Sequence, residues 1–272
     1  MKKDERIKEI TTKLEQGVKD LYTSDHYKEF LEVMSKFHNY SFNNCLLISM
    51  QKPNATLVAG YKAWQTKFKR QVRKGEDAIW ILAPVPHKIK TEVEEDGEKV
   101  EKEIQWTSFR PCSVFDVSQT DGEDIPSICN KLNGEVDDYT DLIKQLERIS
   151  PAWVIYKDIK DSANGYFNGM TNEIVIQEGM SQAQTVKTLI HEVAHSILHS
   201  QNGEESEAAV NMKEVQAESV AYTVCSWLGL DTSEYSFGYI AGWSIGQEAK
   251  ELQASMEQIR KTAAKIIDDL AA

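Results

Sequence analysis

Apolar residues recur at intervals of three and four along several stretches of the chain, which is the spacing of one face of an α-helix. The clearest stretch follows Ser181, which with Gln184 three residues later has the form of a helix-starting capping box, and Gly203 follows as a stop. Its apolar members are Val186, Leu189, Ile190, Val193, Ala194, Ile197 and Leu198. Similar spacing predicts helices within 1–38, 41–50, 139–149, 211–228 and 252–270.

Short apolar runs bounded by turn residues predict strands at 56–60, 78–82, 107–117, 153–156, 165–169 and 173–176. Residues 61–68 read as a short helix, and the charged segment 88–103 as an exposed hairpin or loop. The fold class is therefore α+β. We expect an N-terminal α+β domain with an antiparallel sheet at 1–125, and a mainly helical domain with a small antiparallel sheet at 135–272. The turn-rich segment 121–134 separates them.

The 181–203 helix carries the sequence His191-Glu192-Val193-Ala194-His195. On a helix two histidines four residues apart share one side, so both imidazoles can bind one ion, and Glu192 can reach a water on that ion. The pentapeptide also arises by chance as two surface histidines and a surface glutamate, so a third ligand is needed to strengthen the interpretation.

The helix at 211–228 offers that ligand. Its small and acidic residues form one stripe that could approach the histidine helix closely: Glu214, Ala217, Glu218, Ala221 and Cys225. We predict Zn²⁺ bound by His191, His195 and Glu214, with an open position for water. Glu218 would accept a hydrogen bond from a ligand imidazole, and Glu192 would act as the general base. An acidic surface on an acidic domain remains the alternative for the stripe.

Other residues around the motif are assigned less specifically. His199 continues the histidine stripe, but it lies a further turn along and is expected at the helix surface or the rim of a cleft. The oxyanion stabiliser cannot be read from the letters, and the candidates are Tyr166, His199 and Tyr222.

Composition and charge limit the cellular compartment and the partners that we expect for this chain. No apolar run approaches the roughly 18 residues that span a bilayer, and no apolar stretch of a signal peptide follows the charged N-terminus, so we expect a cytoplasmic protein. The four cysteines are scattered and are predicted to be reduced thiols: Cys45, Cys112, Cys129 and Cys225. Residues 1–84 hold 15 Lys and Arg against 10 Asp and Glu, whereas the remainder holds 16 against 33. The two parts therefore carry net charges of +5 and −17, which suggests different partners, although ordinary solvated surface also explains the difference.

Basic and aromatic residues alternate just after residue 60, a combination that suits single-stranded nucleic acid because cations contact phosphates and aromatic faces stack on bases. The predicted DNA-binding residues are Lys62, Trp64, Lys67, Lys69, Arg70, Arg73 and Lys74. The alternative is a plain basic surface, with Trp64 in the core.

Several motifs occur in one order along the N-terminal part: 41–44, 51–56, 60–64, 72–76, 81–84 and 114–120. Together they resemble the N-terminal domain of ArdC-type antirestriction proteins. That resemblance implies binding of single-stranded DNA and carriage on conjugative elements. The charged segment 88–103 is not part of the resemblance, and it could cover the DNA surface.

The C-terminal motif, His191-Glu192-x-x-His195 with Glu214-x-x-Ala217-Glu218-x-x-Ala221, resembles the ImmA/IrrE-type zinc peptidases. Segments 165–166, 187–190 and 239–243 strengthen this likeness. The resemblance implies a gluzincin-like metallopeptidase domain that acts on a protein substrate. Two further functions stay open: site-specific cleavage of a repressor or other regulatory protein, and a DNA-binding accessory role in which the metal domain is inactive.

Overall fold

The computed structural model describes residues 3–21, 24–95, 98–125, 136–160, 163–199, 207–230 and 249–272. The chain divides into two compact units, the first made of Met1–Glu15 and Leu47–Glu123 and the second of Gln16–Leu46 and Asp124–Ala272. Residues 16–46 thus pack with the C-terminal part of the chain. The division into domains at 1–125 and 135–272 stays a prediction, and its boundary segment lies partly outside the described residues.

The described helices and strands follow the predicted order along the chain. The helices are α1 (Lys3–Leu21), α2 (Ser24–Lys36), α3 (Phe42–Gln51), α4 (Tyr61–Thr66), α5 (Val136–Ile149), α6 (Gln182–Leu198), α7 (Glu207–Leu228) and α8 (Ala249–Ala271). The strands are β1 (Val58–Ala59), β2 (Arg70–Val72), β3 (Ile79–Glu95), β4 (Glu98–Asp116), β5 (Thr120–Gly122), β6 (Trp153–Lys157), β7 (Gly165–Asn168) and β8 (Glu173–Gln177). A 3₁₀ turn, Val117–Gln119, joins β4 to β5.

The first unit is built on a long antiparallel hairpin. Strands β3 and β4 pair from Ile79↔Val114 to Glu95↔Glu98, so the charged segment 88–103 continues the same ladder, as the hairpin alternative predicted. Strand β1 pairs with β4, and β2 pairs with β5, both antiparallel. The predicted antiparallel arrangement of this part is therefore confirmed. Apolar residues at alternate positions, such as Ile79 and Ile81, are buried because they line one face of the ladder.

The second unit packs helices against a small mixed sheet of order β6-β8-β7. Strand β8 pairs antiparallel with β7 but parallel with β6, so the prediction of a purely antiparallel sheet is wrong for one of the two pairs. A parallel pair needs a long connection. Residues 158–172 provide it, and they include β7, which returns on the far side of β8. The central strand is covered on both faces, and its residues 174–176 are at most 1% exposed.

Helices α6 and α7 lie against each other, and α8 and α2 both pack on α7. The small side chains of Ala217 and Ala221 are fully buried, which allows the close approach that the stripe predicted. Buried apolar residues of α8, including Met256 and Ile259, show that this helix packs on the unit.

The predictions on the cysteines and on membrane spans can be compared with the structure. Cys45, Cys112 and Cys225 are not in disulfide bonds, whereas Cys129 lies outside the described residues, as do the stop at Gly203 and the segment 239–243. Among the described helices, none combines the length and the apolar character that a bilayer span requires.

Candidate metal centre

Helix α6 presents its two histidines toward α7, and its apolar side is buried. Ser181 caps the helix, because its hydroxyl accepts a hydrogen bond from the amide of Gln184 at 3.3 Å. The side chain of Gln184 donates to Thr188 rather than returning to the cap, so only half of the predicted capping box is present. The residues Val186, Leu189, Ile190 and Val193 are at most 2% exposed, which anchors the helical register.

The Nε2 atoms of His191 and His195 are 3.1 Å apart. The carboxylate of Glu214, from α7, reaches both of them: one oxygen is 3.5 Å from His191 Nε2 and the other is 3.4 Å from His195 Nε2. One donor atom from each of the three residues lies within 4.8 Å of the others. Two imidazole nitrogens and one carboxylate oxygen, converging in this way, are a donor set that suits a divalent metal ion. The residues present therefore fit such an ion.

Glu218 lies one turn further along α7, behind the first histidine. Its Oε2 is 3.2 Å from His191 Nδ1, although the angle does not complete a hydrogen bond. The carboxylate therefore faces the imidazole nitrogen that points away from Glu214. A ligand histidine usually donates its second N–H to such a group, which sets its tautomer and its orientation.

The charges of the cluster are strongly coupled. Burial disfavours the protonated form of His191, but ionic contacts with Glu214 and Glu218 outweigh this effect and raise its pKa to about 10. The pKa of Glu214 is lowered by the imidazoles of His191 and His195, against an opposing effect of burial. The two carboxylates therefore favour the protonated form of His191.

Glu192 is only 6% exposed and sits between α6 and the sheet. Burial raises the pKa of its carboxyl group, against the opposing charges of His191 and His195 and a hydrogen bond with the backbone of Phe167 on β7. A cavity of about 400 Å³ opens beside it. Its lining combines β7 and its approach with one side of α6 and one residue of α7: Ala163, Asn164, Gly165, Gln184, Lys187, Thr188, His191, Glu192 and Glu218.

The other predicted site residues are placed as follows. Tyr166 is 40% exposed on β7, whereas Tyr222 is fully buried and its hydroxyl donates to Glu32, so Tyr222 does not face the cavity. His199, predicted at the helix surface or the rim of a cleft, is half-buried, and its Nδ1 lies 3.1 Å from His195 Nδ1. Its other nitrogen lies 2.9 Å from the amide oxygen of Gln216.

Gln216 is not among the site residues that the sequence predicts. It is 4% exposed and lies between two acidic residues of α7. Its amide nitrogen reaches Ser255 Oγ at 2.7 Å and Gln258 Oε1 at 3.3 Å, both on α8. A polar residue on the buried side of an otherwise apolar and small-residue helix was the available signal, because such a group requires partners.

Some residues of the basic segment 62–74 in the first unit are exposed, whereas others are buried or have partners within the protein. Lys62, Lys67 and Lys74 are exposed, and Lys69 lies 3.6 Å from Glu123. Trp64 is fully buried, and its indole N–H donates to the carbonyl of Phe115 at 2.8 Å. With no face open to a base it cannot serve as a stacking platform, so we remove it from the DNA-binding set.

The two arginines of that segment contact strand β5 and the residues next to it. Arg70 donates to the Thr120 hydroxyl at 2.7 Å and to the carbonyls of residues 120, 122 and 123. Arg73 pairs with Glu76 and Asp121, at 2.7 Å and 3.2 Å. Both guanidinium groups therefore have partners within the protein.

Comparison with known proteins agrees with both halves of the chain. Residues 2–115 match the family model described as the N-terminal domain of anti-restriction factor ArdC, and residues 150–263 match the IrrE N-terminal-like domain. A curated protein of Bacillus anthracis, described as uncharacterized, is 28% identical over 309 residues, covering 98% of this chain and 51% of that protein. The chain thus spans about half the length of the curated relative that it matches.

Two solved structures share the fold. The metal-free crystal structure of antirestriction ArdC protein from the R388 plasmid has a TM-score of 0.50 at 20% identity, covering 84% of this chain and 82% of that chain. The Mn(II)-bound structure of the same protein has a TM-score of 0.51 at 18% identity, covering 85% and 84%.

A unit with antiparallel strands, joined to a helical unit that carries H-E-x-x-H beside a facing glutamate, defines a two-domain protein with a metallopeptidase-like C-terminal part. The two matches, in this order along the chain, identify it further. The chain therefore carries a domain of the ArdC N-terminal type followed by a domain of the IrrE type.

Proposed function

We propose that this chain is an antirestriction-type, single-stranded-DNA-binding protein of a mobile element, and that its C-terminal unit is a cytoplasmic gluzincin-like zinc metallopeptidase. One observation carries the enzymatic part: His191, His195 and Glu214 converge, with Glu192 buried at the edge of an open cavity. The Mn(II)-bound relative supports a divalent ion at such a site. Two imidazoles and one carboxylate with room for a water favour zinc.

In this proposal His191 and His195 bind through Nε2, Glu214 binds through its carboxylate, and Glu218 orients His191. A bound zinc ion would lower the pKa of its water and polarise the scissile carbonyl. Glu192 would accept a proton from that water as general base and deliver it to the leaving amine. Its raised pKa suits both tasks, because a carboxyl group that titrates closer to neutral pH can accept and return a proton.

The sheet offers a place for the substrate. Strand β7 is an edge strand, and Asn164 and Gly165 at its start line the cavity beside His191. An extended peptide could pair with such an edge through backbone hydrogen bonds. The proposed substrate is therefore an unfolded or extended segment of a protein, and a repressor or other regulatory protein satisfies this requirement.

The metal and peptidase assignments can be tested with three variants. Glu192→Gln should keep stoichiometric zinc, measured by mass spectrometry of the native protein, and lose cleavage of a casein or peptide-library substrate. Glu214→Ala should lose zinc, whereas Glu218→Ala should retain it with weaker affinity. Activity retained in Glu192→Gln would refute its role as base. Zinc lost from Glu218→Ala but kept in Glu214→Ala would reverse the ligand assignment. A wild-type protein that binds zinc but cleaves nothing would support the DNA-binding accessory role.

The DNA-binding part rests on the exposed lysines of the 62–74 segment and on Tyr61, which is 44% exposed and can stack on a base. Gel shifts over a salt series should show tighter binding to single-stranded than to double-stranded oligonucleotides. Each lost phosphate contact lowers the salt slope by roughly 0.7 for single strands. The double variant Lys62→Ala/Lys67→Ala should therefore reduce the slope by roughly 1.4.

Lys13→Ala is a matched control in the same unit, because the Lys13 ammonium is exposed and contacts Glu9 at 2.8 Å. It should bind DNA as the wild type does. Equal slopes for the double variant and the control would show that this surface does not contact DNA. Absence of any shift with the wild type would remove the DNA-binding proposal.

A further inference from the structure

A chain of polar contacts leads away from the metal centre through its second histidine. His195 Nε2 faces Glu214, and His195 Nδ1, on the opposite side of the ring, lies 3.1 Å from His199 Nδ1. His199 Nε2 lies 2.9 Å from Gln216 Oε1, and the Gln216 amide nitrogen lies 2.7 Å from Ser255 Oγ. The contacts connect α6, α7 and α8 through side chains that are buried or half-buried.

We propose that His199 and Gln216 are positioning residues that hold His195 in the tautomer and orientation required to bind the metal ion. The inference rests on the proposed zinc site and concerns the side of that site away from the ion. His199 itself is not a ligand, because it contacts the nitrogen of His195 that points away from Glu214.

The direction of every hydrogen bond follows from the ligand role. A metal-binding Nε2 must present a lone pair, so the proton of His195 lies on Nδ1. His199 Nδ1 must then accept, which leaves its own proton on Nε2 to donate to the amide oxygen of Gln216. The amide nitrogen of Gln216 donates in turn to Ser255, and a second acceptor, Gln258 Oε1, lies 3.3 Å from it. All donors and acceptors match in one direction.

The two ligand histidines are consequently supported in different ways. His191 faces a carboxylate, Glu218, whereas His195 faces a neutral imidazole. Partners of this kind commonly change metal affinity by about 10- to 100-fold when removed.

The test compares two substitutions of similar size. Asn places an amide oxygen near the position of His199 Nδ1 and keeps the acceptor, whereas Leu removes it. We expect His199→Leu to weaken Zn²⁺ affinity by about 10- to 100-fold, measured by competition with a chromophoric chelator at fixed pH. His199→Asn should remain within about threefold of the wild type, and Ser196→Ala, on the same helix, should not change affinity.

Equal affinity of His199→Leu and the wild type would overturn the inference while leaving the zinc site intact. Equal loss in the Asn and Leu variants would assign the effect to packing and would also overturn it. A wild type without zinc affinity would refute the proposed function together with this inference.

A second readout does not depend on the variants folding. Imidazole ¹⁵N spectra of the wild type should show His199 as the Nε2–H tautomer, both metal-free and zinc-loaded. An Nδ1–H tautomer for His199 would reverse the hydrogen bonds and refute the positioning role.

Discussion

Gly165 stands at the point where β7 approaches α6 most closely, and replacing it with alanine tests that approach. A methyl group there would lie 2.7 Å from Thr188 Cγ2, 3.0 Å from the carbonyl oxygen of Val175 and 3.2 Å from Ile176 Cδ1. Carbon atoms in good contact are about 3.5–4.0 Å apart, so the strand or the helix must move.

The magnitude follows from two opposing effects. Overpacking of this kind costs about 1–3 kcal/mol. Loss of glycine from the unfolded chain stabilises by about 0.4–1 kcal/mol where the backbone can accept alanine. We therefore expect Gly165→Ala to destabilise the second unit by about 1–2 kcal/mol, since one of the crowded neighbours is a backbone atom that cannot rotate away.

Thr188→Ser supplies the matched partner. It removes the methyl group nearest to the new side chain but keeps the hydroxyl, which accepts a hydrogen bond from Gln184 at 3.2 Å. Alone it should cost about 0.8 kcal/mol for the lost buried methyl group. Combined with Gly165→Ala it should cost less than the sum of the two single changes, because the closest clash is relieved.

Native-state hydrogen exchange in peptides covering β8 and α6 measures the free energy of unfolding of this unit separately from the first. Gly165→Ala at or above wild-type stability would refute the close approach. Additive effects in the double variant, within about 0.5 kcal/mol, would show that Thr188 is not the obstacle. Weaker metal binding is not expected, since none of the three proposed ligands changes.

Three further predictions concern separate parts of the chain. Asp116, 1% exposed, accepts hydrogen bonds from three backbone amides through both of its carboxylate oxygens. Asp116→Ala should destabilise the first unit by about 2–4 kcal/mol in urea unfolding, and wild-type stability of this variant would contradict the role of the acceptor. The pKa of His191 is raised to about 10, so its proton is present below that pH and must leave when zinc binds. Zinc affinity should therefore rise about tenfold per pH unit from pH 7 to 10. Calorimetry in buffers of different ionisation enthalpy should show proton release, and binding heats that do not depend on the buffer would contradict this prediction. Ser181→Ala should destabilise α6 by about 1 kcal/mol, measured by hydrogen exchange, whereas Gln184→Ala should not. Similar losses in both variants would indicate that the full capping box forms.

Local patterns along the sequence determined much of the site. The spacing of Val186, Leu189, Ile190 and Val193 sets which side of α6 is buried, and therefore that His191 and His195 emerge together. This inference needs only the helical repeat, because residues four apart share a face in any α-helix. The short apolar run at 78–82, bounded by turn residues, likewise predicted a strand from neighbours within a few residues.

Tertiary structure decided which of two carboxylates meets the histidines. Glu214 and Glu218 share a stripe on α7, and their separate roles depend on how far α7 slides along α6. That offset is a property of side-chain packing between two helices and has no signature in either helix alone. The structure places Glu214 against both Nε2 atoms and Glu218 behind His191.

Contacts between distant segments account for the remaining differences. Trp64 is interleaved with lysines in the sequence, yet it is buried, and its indole N–H donates to the carbonyl of Phe115, about fifty residues later. The link from His199 to Gln216 joins two helices, and it continues to a third through Ser255. The sequence by itself determined the helices, the strands and the motif on α6, because these depend on neighbours within a few residues. Only the tertiary structure decided the partners of each polar side chain, because those partners come from segments whose relative placement the packing of the whole unit sets.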